Sequence, residues 1–325
     1  MPQILKIESL STYFFTEAGT VKAVDGVAFG LEEGETLGVV GESGSGKTVT
    51  ALSILGIVQR PGRIVHGRIL YKGENLLEMS EEQRRKLRGK DLAYIMQDPT
   101  TSLDPVYNIE SQLTEVLRAH TFVSKKEARE RVLDFLRTVG ISDPEKRLQE
   151  YPHTLSTGMR QRVAIARAIL CSPHVLLADE PTTALDVTVQ AQILKLMKDL
   201  KNKFNMSMML ITHDMGIIAK MSDRVCVMYA GRMCEIADVK TIYKKPRHPY
   251  TEALLSSMPR IDTKRGTLTV IPGGVPDLIN PPSGCRFHPR CKYAKEVCKE
   301  IVPEPEEIEP GHFVECLRVR ELGLD

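Results

Sequence analysis

Three glycines, a lysine and a threonine in the run Gly41-Glu-Ser-Gly-Ser-Gly-Lys-Thr48 have the G-x-x-x-x-G-K-[ST] spacing of a phosphate-binding loop. Glycine lets the backbone turn tightly enough for successive N–H groups to converge on phosphate oxygens at a helix N-terminus. Gly41, Ser43, Gly44, Ser45, Gly46, Lys47, Thr48 and Val49 are therefore the candidate nucleotide contacts. Lys47 is expected to reach the β- and γ-phosphates, and the Thr48 hydroxyl to ligate Mg²⁺. Val49 stands where a G-x-G-x-x-G loop would need its third glycine, so the dinucleotide register is absent.

A second constellation is His174-Val-Leu-Leu-Ala-Asp179-Glu180, an apolar strand pattern ending in adjacent carboxylates. Asp179 is expected to orient Mg²⁺ and its waters, and Glu180 to accept a proton from an attacking water. The third is sulfur. Of seven cysteines, Cys171, Cys226 and Cys234 sit among apolar neighbours and read as small core residues. Cys285, Cys291, Cys298 and Cys316 crowd into the tail, with 5, 6 and 17 residues between them. No C-x-x-C pair occurs there, and bacterial ferredoxin spacing is absent, so spacing alone leaves Zn²⁺ and an iron-sulfur cluster equally open.

These residues need elements to hold them. The first 40 residues alternate apolar and polar positions around turns at 17–20 and 33–35, a strand-rich start. A helix is expected over Lys47 to Val58. Strands are expected over 68–71, 92–96, 175–178, 206–212 and 224–229, with helical patterns between several of them, which argues for an α/β core with a largely parallel sheet. From Asn108 to Cys171 the pattern is charged and helix-periodic, a mostly helical insertion. Prolines multiply from about Lys245, including Pro246, Pro259, Pro272 and Pro303, so the tail reads as a small irregular domain. The 325 residues suggest two domains. With 44 Lys plus Arg against 42 Asp plus Glu, no global field selects nucleic acid or anionic lipid. No run of 18 apolar residues and no signal sequence occur, so a cytosolic chain that meets a membrane only through a partner is expected.

Over residues 4–258 the sequence resembles the nucleotide-binding subunit of an ATP-binding cassette (ABC) transporter. Leu155-Ser-Thr-Gly-Met-Arg-Gln-Arg162 resembles the signature that begins LSGG, Gln97 the glutamine loop, Ala184-Leu-Asp186 the D-loop, and His213 the switch histidine. The resemblance implies a P-loop ATPase core with an N-terminal antiparallel β subdomain and an inserted helical subdomain at about 98–171. It divides the chain into a cassette over 1–244 and an extension over 245–325. It also implies a head-to-tail dimer, with ATP between the loop of one subunit and the signature of the other. In it Ser156 and the N–H of Gly158 face the partner's γ-phosphate, Gln97 contacts Mg²⁺ or the lytic water, His213 senses the γ-phosphate and Asp186 couples the paired sites. Tyr13 or Phe14 stacks on adenine. Thr157 departs from the first glycine of the signature pair; it is harmless in an early helical turn and strained at positive φ.

Gln97-Asp-Pro-Thr-Thr-Ser-Leu-Asp-Pro105, His248-Pro-Tyr-Thr-Glu-Ala-Leu-Leu255, Pro272-Gly-Gly-Val-Pro-Asp277 and Gly284-Cys-Arg-Phe-His-Pro-Arg-Cys291 resemble the dipeptide and oligopeptide importer branch. Members of that branch are also similar to nickel and oligosaccharide importers. The branch implies two permease subunits, an external peptide-binding protein, a second and different cassette chain, and a location on the cytoplasmic face of the membrane. It tips the tail cysteines toward a structural [4Fe-4S] cluster, with Cys291 and Cys298 on one face if 292–297 is helical. A non-transport cassette acting on nucleic acid or ribosomes is the alternative, opposed by the near-neutral charge and the missing basic-aromatic stripe.

Overall fold

The structure is a computed structural model that describes residues 2–98, 102–183, 185–258 and 271–323. Pro99, Thr100, Thr101, Ala184 and Pro259 of the stretches above lie outside the described residues. In chain order the strands are β1 Gln3–Thr16, β2 Gly19–Glu32, β3 Thr36–Val40, β4 Gly62–Tyr71, β5 Glu74–Asn75, β6 Leu92–Ile95, β7 Val175–Asp179, β8 Ser207–Thr212, β9 Arg224–Tyr229, β10 Arg232–Asp238, β11 Glu306–Glu309 and β12 His312–Val314. The principal helices are α1 Lys47–Leu55, α2 Ile109–His120, α3 Lys125–Thr138, α4 Thr157–Ile169, α5 Val187–Lys203, α6 Met215–Met221 and α7 Pro249–Ser256. The chain folds as two compact units.

One unit holds Met79–Leu210 with a short piece at Glu32–Gly34. Its β6 and β7 run parallel, from Leu92 opposite Val175 to Ile95 opposite Ala178. Every residue of β7 is buried, as expected of a parallel strand covered on both faces. Between them the chain passes through α2, α3 and α4. Ile109, Leu113 and Leu117 recur every four residues to make the buried stripe of α2, and Ala128, Val132 and Leu136 that of α3. Asn108 and Ser124 cap these helices by accepting the N–H of Ser111 and of Glu127.

The other unit holds Gln3–Leu31, Glu35–Glu78 and Ile211–Asp325. It contains an antiparallel sheet of order β2-β1-β4-β5 and the run β11-β12-β10-β9-β3. Here β3 and β9 are parallel, and β9, β10, β12 and β11 follow antiparallel. Helix α1 ends early, because Gly56 takes φ +65 and its N–H returns to Leu52 and Ser53. Three expectations change. The strand expected at 68–71 is the end of a longer β4, paired antiparallel with β1 rather than built into the parallel core. The tail supplies two strands, because β12 pairs along β10 despite the prolines around it. Residues 292–296 form turns rather than a helix, closed by Ala294 N–H to the Cys291 carbonyl and Cys298 N–H to that of Lys295, and a short helix begins only at Val297.

Candidate functional site

The phosphate loop leaves β3 at Val40 and enters α1 at Lys47. A Cβ on Gly41 would lie 2.0 Å from the Met228 carbonyl oxygen, and one on Gly46, at φ +96, would lie 2.4 Å from that of Ala23. No other residue fits either place. Gly46 is the N-cap of α1 and supplies no side-chain cap, so the first N–H groups of this helix point at whatever occupies the loop. The Lys47 ammonium is buried and donates to the carbonyls of Gly41 at 2.8 Å and Glu42 at 3.0 Å and to Ser45 Oγ at 3.3 Å. Ser45 is buried, Ser43, Gly44 and Thr48 are exposed, and Val49 is half-buried.

In the unit that contains β6 and β7, the two carboxylates occupy different environments. Asp179 is buried at the end of β7, and the Tyr94 hydroxyl donates to its Oδ2 at 3.0 Å. Burial, then the Asp179 charge, push the Tyr94 phenol far up. Glu180 lies one residue beyond at φ +43, a left-handed conformation in a non-glycine residue. Its Oε2 accepts from Gln97 Nε2 at 3.1 Å and from Thr183 Oγ1 at 2.8 Å. Two donors thus converge on one oxygen of the candidate base.

Ser156 is the N-cap of α4, with its Oγ accepting the Met159 N–H at 3.3 Å. Thr157 is the first helical residue and lies outside the positive-φ set, so its side chain is unstrained there. Gly158 is bare because Val189 of α5 approaches, 3.0 Å from where its Cβ would stand. Asp186 caps α5, accepting from the N–H groups of Thr188 and Val189 at 3.0 Å. In the other unit His213 is exposed just after β8, Tyr13 donates to Asp25 Oδ1 at 2.6 Å, and Phe14 packs over Gly62. Burial and Asp25 together push the Tyr13 phenol up to about 12.

The tail cysteines line one small cavity of about 20 Å³, together with His248, Phe287 and Tyr293. Burial pushes the Cys285 thiol up to about 12 and the Cys316 thiol up to about 11, and the neighbouring sulfurs add to both. Among the described residues no three His, Cys, Asp or Glu side chains are placed to hold a metal ion, so the expected [4Fe-4S] cluster finds no support in this geometry. Cys226 and Cys234 are buried as expected of core residues, and Cys171 is half-buried.

Several residues of the site escaped the sequence reading. Tyr94 and Thr183 flank the acidic strand without a motif of their own. Glu42 occupies a variable position of the loop, yet its N–H donates to Tyr250 Oη at 3.0 Å and its carboxylate pairs with Arg290 at 2.7 Å. Tyr250 and Arg290 lie inside stretches quoted above for their resemblance, which was the available signal.

The ABC transporter family profile matches residues 24–183, and the profile of the oligopeptide/dipeptide transporter C-terminal region matches 234–298. The chain is 50% identical over 98% of its length to a probable peptide ABC transporter ATP-binding protein, y4tR, of Sinorhizobium fredii, covering 96% of that protein. It is 48% identical to the dipeptide transport ATP-binding protein DppD of Bacillus subtilis, with 97% and 95% of the two chains covered. It is also 44% identical to DppD of Escherichia coli, with 96% of each chain covered. Among solved structures, CbiO1 of Clostridium perfringens, part of the CbiONQ ABC transporter complex, matches with a TM-score of 0.62 at 27% identity, over 75% of this chain and 91% of that one. The dimeric ABC transporter cassette MJ0796 shares the fold with a TM-score of 0.65 at 24% identity, over 72% and 98% of the two chains. With a phosphate loop, paired carboxylates and tail all matched along nearly the whole length of such relatives, the chain belongs to the ATP-binding subunits of ABC transporters, in their dipeptide and oligopeptide branch.

Proposed function

We propose that this chain hydrolyses ATP to power import of dipeptides or oligopeptides through a membrane ABC transporter. The observation that carries the hydrolytic part is Glu180, set just past a buried Asp179 and held by Gln97 and Thr183. In this reading the amides of 41–49 and the Lys47 ammonium hold the phosphates, and Phe14, whose ring is not tied to Asp25 as Tyr13 is, stacks on the base. Thr48, Asp179 and Gln97 are the residues that would hold Mg²⁺, which when bound withdraws charge from the phosphate oxygens. Glu180 takes the proton of the attacking water, oriented by its two donors. His213 holds the γ-phosphate, and Ser156 with the Gly158 N–H closes the site of a partner cassette. Asp186 passes the state of one site to the other by way of the α5 cap. Residues 1–244 carry this chemistry and 245–325 form the extension.

The test is Glu180→Gln. Nucleotide binding persists in calorimetry while turnover falls by about 10²-fold or more, the scale of losing a general base. Normal turnover would remove Glu180 from the role.

Peptide as cargo is supported by the relatives named above and by the match of 234–298 to the oligopeptide/dipeptide tail. Permease subunits are the partners of this branch, and a cavity of about 410 Å³ lined by Tyr94, Met96, Ser102, Val116 and His120 lies beside the Gln97 loop to receive one. No described helix is long and apolar enough to cross a membrane, so attachment at the cytoplasmic face runs through those subunits. A second, different cassette chain completes the dimer.

The tail cysteines are proposed to bind a [4Fe-4S] cluster, with Zn²⁺ as the other candidate. The reading rests on the donor set, four cysteines that line one apolar pocket, and not on their present spacing, in which no three described side chains are placed to hold a metal. Metal binding would displace the thiol protons that burial favours on Cys285, Cys291 and Cys316.

A further inference from the structure

The residue of the phosphate loop with the most ties to the tail is Glu42. Its backbone N–H donates to the hydroxyl of Tyr250, a fully buried side chain. Its carbonyl accepts from Lys47 Nζ and from the Ser45 N–H. Its carboxylate is gripped by Arg290 in a two-pronged pair, Nη1 to Oε2 at 2.7 Å and Nη2 to Oε1 at 3.1 Å. Fork-to-fork geometry of this kind fixes orientation as well as adding charge-assisted strength.

Arg290 has no freedom to be elsewhere. Its side chain is 5% exposed, its Nε donates to the Pro272 carbonyl at 2.8 Å, and its Nη1 also reaches Tyr229 Oη at 3.3 Å. The residue closes a short 3-10 turn, His288–Arg290, which hangs from Cys285 by the His288 N–H and leads straight into Cys291. Phe287 anchors that turn among Tyr229 and Tyr250, both with ring centroids 5.2 Å away. The path from the cysteine pocket to the loop is thus one arginine long.

We propose that Arg290, with Tyr250, is a positioning residue for the phosphate loop: it clamps Glu42 so that the loop amides and Lys47 are set for a nucleoside triphosphate, and it makes nucleotide affinity depend on the order of the cysteine segment. This rests on the nucleotide-binding reading of 41–48. Arg290 touches no nucleotide in this role, and it acts through Glu42 alone. Coupling of this sort is reciprocal, so bound nucleotide also steadies the tail.

The experiment is calorimetric titration of MgATP into the full chain, its Arg290→Met, Arg290→Lys, Glu42→Gln and Tyr250→Phe variants, and the Arg290→Met/Glu42→Gln pair. Arg290→Met and Glu42→Gln are each expected to raise Kd about five- to tenfold, within the usual range of coupling between sites. The pair is expected to raise it no further than one of them, since both remove the same contact. Arg290→Lys recovers part of the loss. Single variants within twofold of the unaltered chain, or a pair whose effects multiply, overturn the proposal. Glu42→Gln and Tyr250→Phe keep the test decisive if Arg290→Met does not fold. An unaltered chain that binds no MgATP sinks the phosphate-loop reading itself, a different outcome from bound nucleotide with indifferent variants.

Discussion

Thr157 is where this chain's signature departs most visibly from the LSGG pattern, and its helical first-turn position makes the departure mild. A β-branched residue is costly at positive φ, not at the start of a helix capped by Ser156. Thr157→Gly should therefore leave ATP turnover of the assembled transporter close to its starting value. A rise of about tenfold, equal to 1.4 kcal/mol off the barrier, would show that the threonine restrains the signature after all. Glu180 presents the opposite case. Its φ of +43 is a conformation that costs a non-glycine residue on the order of 1 kcal/mol, and it is held where two donors meet its carboxylate. Six other described non-glycine residues share that left-handed region, so what distinguishes Glu180 is the pair of donors on its carboxylate rather than the strain by itself.

The elements show which parts of the molecule a linear pattern can reveal. The phosphate loop, β7 with its carboxylates and the α2–α4 insertion are local: glycine spacing, a continuous apolar run and four-residue periodicity are legible without a fold. Pairings that close over long distances were not. Glu42 and Arg290 are 248 positions apart, and neither residue type signals the other. The tail read as irregular because its prolines mask two short strands, whose pairing depends on β10 being in place. Helix α7 illustrates the same limit. Its cap is a histidine, His248, whose Nδ1 accepts the Tyr250 N–H at 3.0 Å. That acceptor exists only in the neutral ring, and burial pushes His248 down to about 4. His248→Ala should lower stability by about 1 kcal/mol, the usual value of a lost N-cap, and urea unfolding of the full chain measures it. An unchanged midpoint would mean that the α7 start is held by its packing alone.

At the scale of the whole chain, 44 basic against 42 acidic residues leave no field to draw it to a membrane, and no described helix spans one. In the proposed function, coupling to transport therefore runs through contacts with permease subunits. The sulfur content of the tail is also a whole-molecule question, settled by purifying the chain anaerobically. The proposed cluster requires a brown protein with about four iron and four sulfide per chain. A colourless protein with one stoichiometric zinc would replace the cluster by a Cys₄ zinc site. The pairing of β12 along β10 has a further consequence. A version of the protein cut short before residue 306 would leave β10 with a bare row of amides and carbonyls, open to another copy. Such a truncation should precipitate or form higher oligomers in solution, an aggregation hazard that β11 and β12 suppress by occupying the rim themselves.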